Sequence, residues 1–326
     1  MVRIDPRGQC ALGQYLLLRR PSDFMNARLG TLSNTRPQNP PVDLKKRPLT
    51  LLIIAVSIIW TGWIFLEGNP GNWRQFGVSS GFDVCSGDYW SLFTSLFVHV
   101  GGLHLYFNVY WLYILGGWVE ERFGSRFYAL LFLISGFCSS ALELSFSGGT
   151  GVGLSGVLYA IFGLLWGAQL FGSHSTDEVL PKSRVQLFLI WLVACGGLTV
   201  AGVLSVGNVA HVVGLIVGLL VACAMASPAR WGAKFALPAL VLFSGITTLY
   251  SPWSYVWLGS RAARAQARPQ WEVATYYYSA MIEQRPEDPW PLENRGRIQL
   301  YLHHELDGQA DLAKAERLKR TPVGRP

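Results

Sequence analysis

Apolar residues in this chain come in long unbroken blocks, and the charged residues are gathered between them. The blocks are Leu49–Leu66, Leu103–Val119, Phe127–Phe146, Val152–Phe171, Val185–Val206, Val209–Ala226 and Phe235–Leu258. At a helical rise of about 1.5 Å per residue, each can cross a hydrocarbon core about 30 Å thick. A backbone in lipid must satisfy its own hydrogen bonds, and a helix does so within a single segment. The pattern therefore predicts an all-α polytopic membrane bundle of six spans, with a seventh at Phe235–Leu258 that Pro252 interrupts.

The stretches between the blocks have their own character. Residues 1–48 are polar and hold Pro37, Pro40, Pro41 and Pro48, which reads as a flexible tail. Residues Glu67–Tyr89 form a first outer loop. The apolar run Trp90–Val98 after it is too short to span and is expected to lie at the membrane surface, with Trp73, Tyr89 and Trp90 as interfacial aromatics. Glu143, near the outer end of span three, reads as a side chain that snorkels to the interface. The chain divides as 1–48 tail, 49–228 membrane core, 229–259 seventh span and 260–326 soluble helical tail. In that last region the order Ala274, Tyr278, Ala280, Pro286, Leu292, Gly296, Gly308, Ala315 is like that of tetratricopeptide helices, with room for about one and a half repeats. Such a tail suggests a surface for a protein partner.

Composition adds orientation. Charged residues are 14% of the chain, against about a quarter in soluble domains. The net charge of +7 is distributed by loop. Basic residues precede span one (Arg28, Arg36, Lys45, Lys46, Arg47) and follow span two (Arg122, Arg126), span four (Lys182, Arg184) and span six (Arg230, Lys234). The loops after spans one, three and five hold only Arg74. The positive-inside rule puts the N-terminus in the cytoplasm, as for a multi-pass protein of a bacterial inner membrane. Charge so arranged reports topology rather than nucleic-acid binding. The five cysteines, Cys10, Cys85, Cys138, Cys195 and Cys223, have neither disulfide nor metal spacing, and no metal or cofactor is expected.

With this topology spans two, four and six all run inward from the outer face. Each begins with a polar group: His104 and Asn108 in span two, Ser155 in span four, His211 in span six. Polar groups inside a membrane are costly and by default mark function. Taken singly, each has a plain structural reading, as a small packing residue or a hydrogen-bonded tie between helices. Their meeting in one layer is harder to obtain from packing alone. A serine and a histidine at one depth permit acyl transfer, with Ser155 as nucleophile and His211 as general base. Tyr159, four residues after Ser155, shares its helical face and can stack on the imidazole. Gly153 and Gly156 let backbone approach, and the free amides of a helix N-terminus suit an oxyanion, with His104 and Asn108 as further donors. Gly214 and Gly218 give span six a small-residue face against span four.

Four segments together resemble the rhomboid intramembrane serine proteases: His104-Leu105-Tyr106-Phe107-Asn108, Gly116 through Gly124, Gly153-Leu154-Ser155-Gly156-Val157-Leu158-Tyr159, and Ala210-His211-Val212-Val213-Gly214 with Gly218. They fall in the family's order over about Asp88–Ala226. The resemblance implies a Ser155/His211 dyad, an oxyanion hole from His104, Asn108 and backbone amides, a first loop embedded in the outer leaflet, and cleavage of single-span membrane proteins amid lipid. It also implies structural roles for Glu120 and Arg122. The family's Trp-Arg pair stands here as Trp90-Ser91, which removes an arginine that orders the first loop. A rhomboid-like client-binding protein without activity is the alternative, but such proteins lose the serine or the histidine. A proton-linked carrier would call for inverted repeats and broken mid-membrane helices, and neither is in the sequence.

Overall fold

The computed structural model describes residues 44–67, 73–171, 180–226 and 230–320. Most of the expected N-terminal tail, up to residue 43, lies outside them. The described residues are helical, with no strand among them. The membrane part runs through α1 (Pro48–Glu67), α2 (Gly81–Ser86), α3 (Ser91–Thr94), α4 (Gly102–Trp111), α5 (Gly117–Phe123), α6 (Ser125–Ser147), α7 (Ser155–Phe171), α8 (Lys182–Val200), α9 (Asn208–Ala226) and α10 (Trp231–Leu249). Among the described residues α1, α6, α8, α9 and α10 are each long and apolar enough to cross a membrane. The second span is α4 and α5 joined through a π-turn at Leu112–Gly116, and it meets the short Ser91–Phe97 segment at 93°. That bend turns Trp90–Val98 into a shelf beside the bundle rather than a further span.

The seventeen-residue α7 is the central column. Every residue from Gly156 to Leu165 is buried, whereas α1, α8 and α10 expose large apolar side chains such as Ile59, Ile190 and Leu242. In a membrane protein such side chains meet lipid, so an apolar exterior is no liability. The closest packing is between α7 and α9. A Cβ on Gly214 would stand 2.0 Å from the Gly156 carbonyl oxygen, and one on Gly218 would stand 2.0 Å from that of Ala160. Only glycine permits backbones this close.

Two helices stop short of their apolar blocks. The fifth block runs to Val206, but α8 ends at Val200, and the chain then turns through Gly202 at φ 69°. The seventh block runs to Leu258, but α10 ends at Leu249. Trp257 and Leu258 instead belong to α11 (Tyr255–Ala267), the first helix of the tail. It is followed by α12 (Trp271–Gln284), α13 (Pro289–Tyr301) and α14 (Glu305–Arg320), two helical hairpins in succession. Ala274, Tyr278, Leu292, Gly296, Gly308 and Ala315 all point into their interior.

The tail is packed onto the first loop. Val84 and Cys85 of that loop, Leu92 of α3, Leu144 of α6, and Tyr255, Trp257, Tyr278 and Met281 of the tail form one hydrophobic cluster. The Phe82 ring lies so near Gly259 that a Cβ there would stand 2.1 Å from it. Ser86 and Ser260 are hydrogen-bonded at 3.3 Å. Trp253 stacks on Phe146, and Ser145 donates to the Thr247 carbonyl, so the tail emerges at the end of α6 that leads into the Gly148–Gly151 turn. That is the face of the bundle on which α7 and α9 begin. Just past the first loop, at the start of α3, Ser91 is fully buried. It accepts from the Ser79 amide at 2.9 Å, while Asp88 pairs with Arg74.

Candidate active site

The site is built from three helix beginnings and one loop. Gly153 has φ +93°, a backbone region L side chains rarely adopt, and its amide donates to the Ser95 carbonyl at 3.0 Å. This fixes the chain just ahead of α7, whose first residue is Ser155. The amides of that first turn have no intrahelical acceptor, so a positive dipole end faces the hydroxyl's surroundings.

Oγ of Ser155 lies 2.7 Å from Nε2 of His211, across 56 positions of sequence. Serine is half-buried and histidine is buried, with 3% of its surface exposed. The Tyr159 ring sits against the imidazole, centroids 4.7 Å apart and planes tilted by 34°. The Tyr159 hydroxyl donates to the Phe188 carbonyl at 3.0 Å, which fixes that ring from the α8 side. Nδ1 of His211 has no partner among the described residues, and no carboxylate bonds to the ring. Among the described residues the imidazole thus has an aromatic face against it and no acid bonded to it.

His104 and Asn108 are placed differently from each other. The His104 ring is beside Gly153: a Cβ there would stand 2.9 Å from Nε2. The Asn108 amide group donates to its own helix, at the His104 carbonyl, 2.8 Å away, and its side-chain oxygen is buried without a partner. One of its two N–H donors is thus engaged within α4, and the other is left for a further acceptor. Gly156, Gly214 and Gly218 lie in the α7–α9 seam described above.

Two residues near the site, His99 and Ser139, carried no mark in the sequence, and a third, Glu143, is placed otherwise than expected. His99, 1% exposed, sits edge-on to His104 with centroids 4.9 Å apart. It falls just past the short apolar run, where the five-residue spacing to His104 was the available signal. Glu143 does not snorkel. It is 4% exposed, and its carboxylate accepts from the Ala210 amide at 2.8 Å, at the start of α9. Ser139, one turn earlier on α6, donates to the Ala210 carbonyl at 3.1 Å. Among the described residues no group of three or more His, Cys, Asp or Glu side chains could hold a metal ion.

Comparison with known proteins agrees with this architecture. A family model described as the rhomboid domain matches residues 86–228. The chain is 31% identical over 229 residues to a protein named Rhomboid protease GlpG from Yersinia pestis (strain Pestoides F), covering 67% of this chain and 74% of that one. A protein of the same name from Serratia proteamaculans (strain 568) is 35% identical over 183 residues, covering 55% of this chain and 63% of the relative.

Proposed function

The chain belongs to the rhomboid family, and from that premise we propose that it is an intramembrane serine endopeptidase using a Ser155–His211 dyad. The observation that carries the reading is the 2.7 Å contact between Oγ and Nε2. With the proton of neutral His211 on Nδ1, Nε2 accepts the Ser155 proton as Oγ attacks a peptide carbonyl. The amides that open α7, together with His104 and the second N–H of Asn108, stabilise the oxyanion. The imidazolium then gives its proton to the leaving amine. Water entering from the face shared by the helix starts and the tail hydrolyses the acyl-enzyme by the same route in reverse.

The substrate class follows from the depth of the site. A single-span helix hides its carbonyls in hydrogen bonds, so it can be cut only where it unwinds. Substrates therefore carry Gly, Pro or other helix-weakening residues near the scissile bond, with small side chains beside it. Cleavage takes place near the outer face of a bacterial inner membrane, with residues 1–48 in the cytoplasm and the helical tail outside, where it presents a surface to protein partners.

The test uses the purified full-length chain in lipid, a generic single-span substrate and a serine-reactive fluorophosphonate probe. Wild type is expected to cleave and to label. Ser155→Ala should do neither, and His211→Ala should lose at least about 10³-fold in kcat. A wild-type protein that neither cleaves nor labels sinks the reading and favours client binding without catalysis.

A further inference from the structure

Ala210 precedes His211, and both of its peptide groups are held by one helix. Glu143 accepts from its N–H, and Ser139 donates to its C=O. The two are four residues apart on α6 and so share a face. The C=O that Ser139 holds belongs to the peptide bond leading into His211 itself. Ser139 also faces the nucleophile's neighbour, since a Cβ on Gly156 would stand 2.8 Å from its Oγ. Glu143 is wedged between the two loops that feed the site: a Cβ on Gly151 would stand 3.4 Å from its Cγ, and one on Gly207 would stand 3.5 Å from its carboxyl carbon. Ser147 and the Val209 amide flank the carboxylate.

A helix leaves its first amides without acceptors, and an anionic side chain there satisfies both the orphan donors and the dipole. The cap normally comes from the helix's own sequence. Here it comes from a neighbouring helix, so it fixes α9 in height and rotation relative to α6 as well as ending it. Glu120 supplies the same kind of cross-helix cap to α1, through the amides of Leu49 and Thr50, far from the dyad. The α9 instance differs in that the anchored residue adjoins the imidazole.

We infer that Ser139 and Glu143 are positioning residues that clamp the start of α9 and so set the Ser155–His211 distance. The inference rests on the proteolytic reading above. The clamp acts chiefly through hydrogen-bond acceptance and donation, so glutamine at 143, whose carbonyl oxygen also accepts though without the charge, should largely preserve it, and leucine should not.

The experiment compares wild type, Glu143→Gln, Glu143→Leu and Ser139→Ala as full-length proteins in lipid vesicles, measuring kcat, KM, fluorophosphonate labelling rate and thermal unfolding. Misplaced catalytic groups cost up to about 100-fold in rate. Glu143→Leu is expected to lower kcat and labelling about 10- to 100-fold with KM nearly unchanged, whereas Glu143→Gln stays within about threefold of wild type. Ser139→Ala should fold normally and lose about fivefold in kcat. Wild-type kcat in Ser139→Ala and Glu143→Leu, or equal impairment by Gln and Leu at 143, overturns the clamp. Should Glu143→Leu not fold, Ser139→Ala and Glu143→Gln decide by the same criteria. Wild-type protein that neither labels nor cleaves overturns the proteolytic reading instead.

Discussion

Arg264, in the first helix of the tail, donates a hydrogen bond to the carbonyl oxygen of Cys85 in the first loop, Nη2 to O 2.9 Å. The two residues are 179 positions apart, and the bond closes over the shared hydrophobic cluster. A hydrogen bond from a charged donor contributes about 1.5–3 kcal/mol. Arg264→Ala is expected to destabilise the folded protein by about that amount. Thermal unfolding in detergent or lipid checks this, and Arg264→Lys should recover part of the loss.

The same contact makes the Cys85 thiol a reporter. Burial pushes its pKa up to about 11, against the lesser opposing pull of Arg261 and Arg264. Alkylation needs the thiolate, which at pH 8 is then about one part in a thousand. Cys85 should therefore react slowly with iodoacetamide at pH 8, and its rate should go on rising well above pH 9. Loosening the tail by Gly259→Val, which collides with Phe82, should bring faster labelling at pH 8. Mass spectrometry of the modified peptide reads both.

The α7–α9 seam admits no side chain at Gly218, where a Cβ would meet the Ala160 carbonyl oxygen at 2.0 Å. Gly218→Val must push the helices apart or tilt them. Overpacking of this kind costs about 1–3 kcal/mol, and the separation is felt at the serine–histidine contact. The expected outcome is a lower unfolding temperature with fluorophosphonate labelling reduced at least about tenfold. Gly232→Val, where nothing lies within 4 Å, serves as the control and should change neither.

Glu120 accepts from the Leu49 and Thr50 amides, the Thr50 hydroxyl and the Ser125 hydroxyl, and is 1% exposed. Glu120→Ala strands several buried donors, each costing about 1–3 kcal/mol. A large fall in thermal stability is expected. Once corrected for the folded fraction, turnover should change little, since the cap lies at the opposite end of the bundle from Ser155.

The membrane core was legible because a span needs only length and apolarity, and both are one-dimensional properties. Ser155, His211 and Tyr159 were legible because topology ranks helix starts by depth, and spacing gives the helical face. The ends of α8 and α10 were not, since Val203, Leu204, Trp257 and Leu258 are apolar whether they meet lipid or a soluble core. Glu143 misled for a related reason. A glutamate near a helix end can reach outward to water or sideways to a neighbour's amides, and the choice depends on where α9 begins in space. The docking of the tail on Phe82 and Cys85 joins segments some 180 positions apart, for which no local pattern exists.

A chain cut after Leu249 would still contain every candidate span and both Ser155 and His211. It would also lay bare Phe82, Val84, Cys85 and Leu92, now sealed beneath Trp257, Tyr278 and Met281. Such a scar would seek detergent, lipid or another copy to cover it. Kinetics measured on a protein trimmed there would then describe a loop resting on a substitute surface rather than on its own tail.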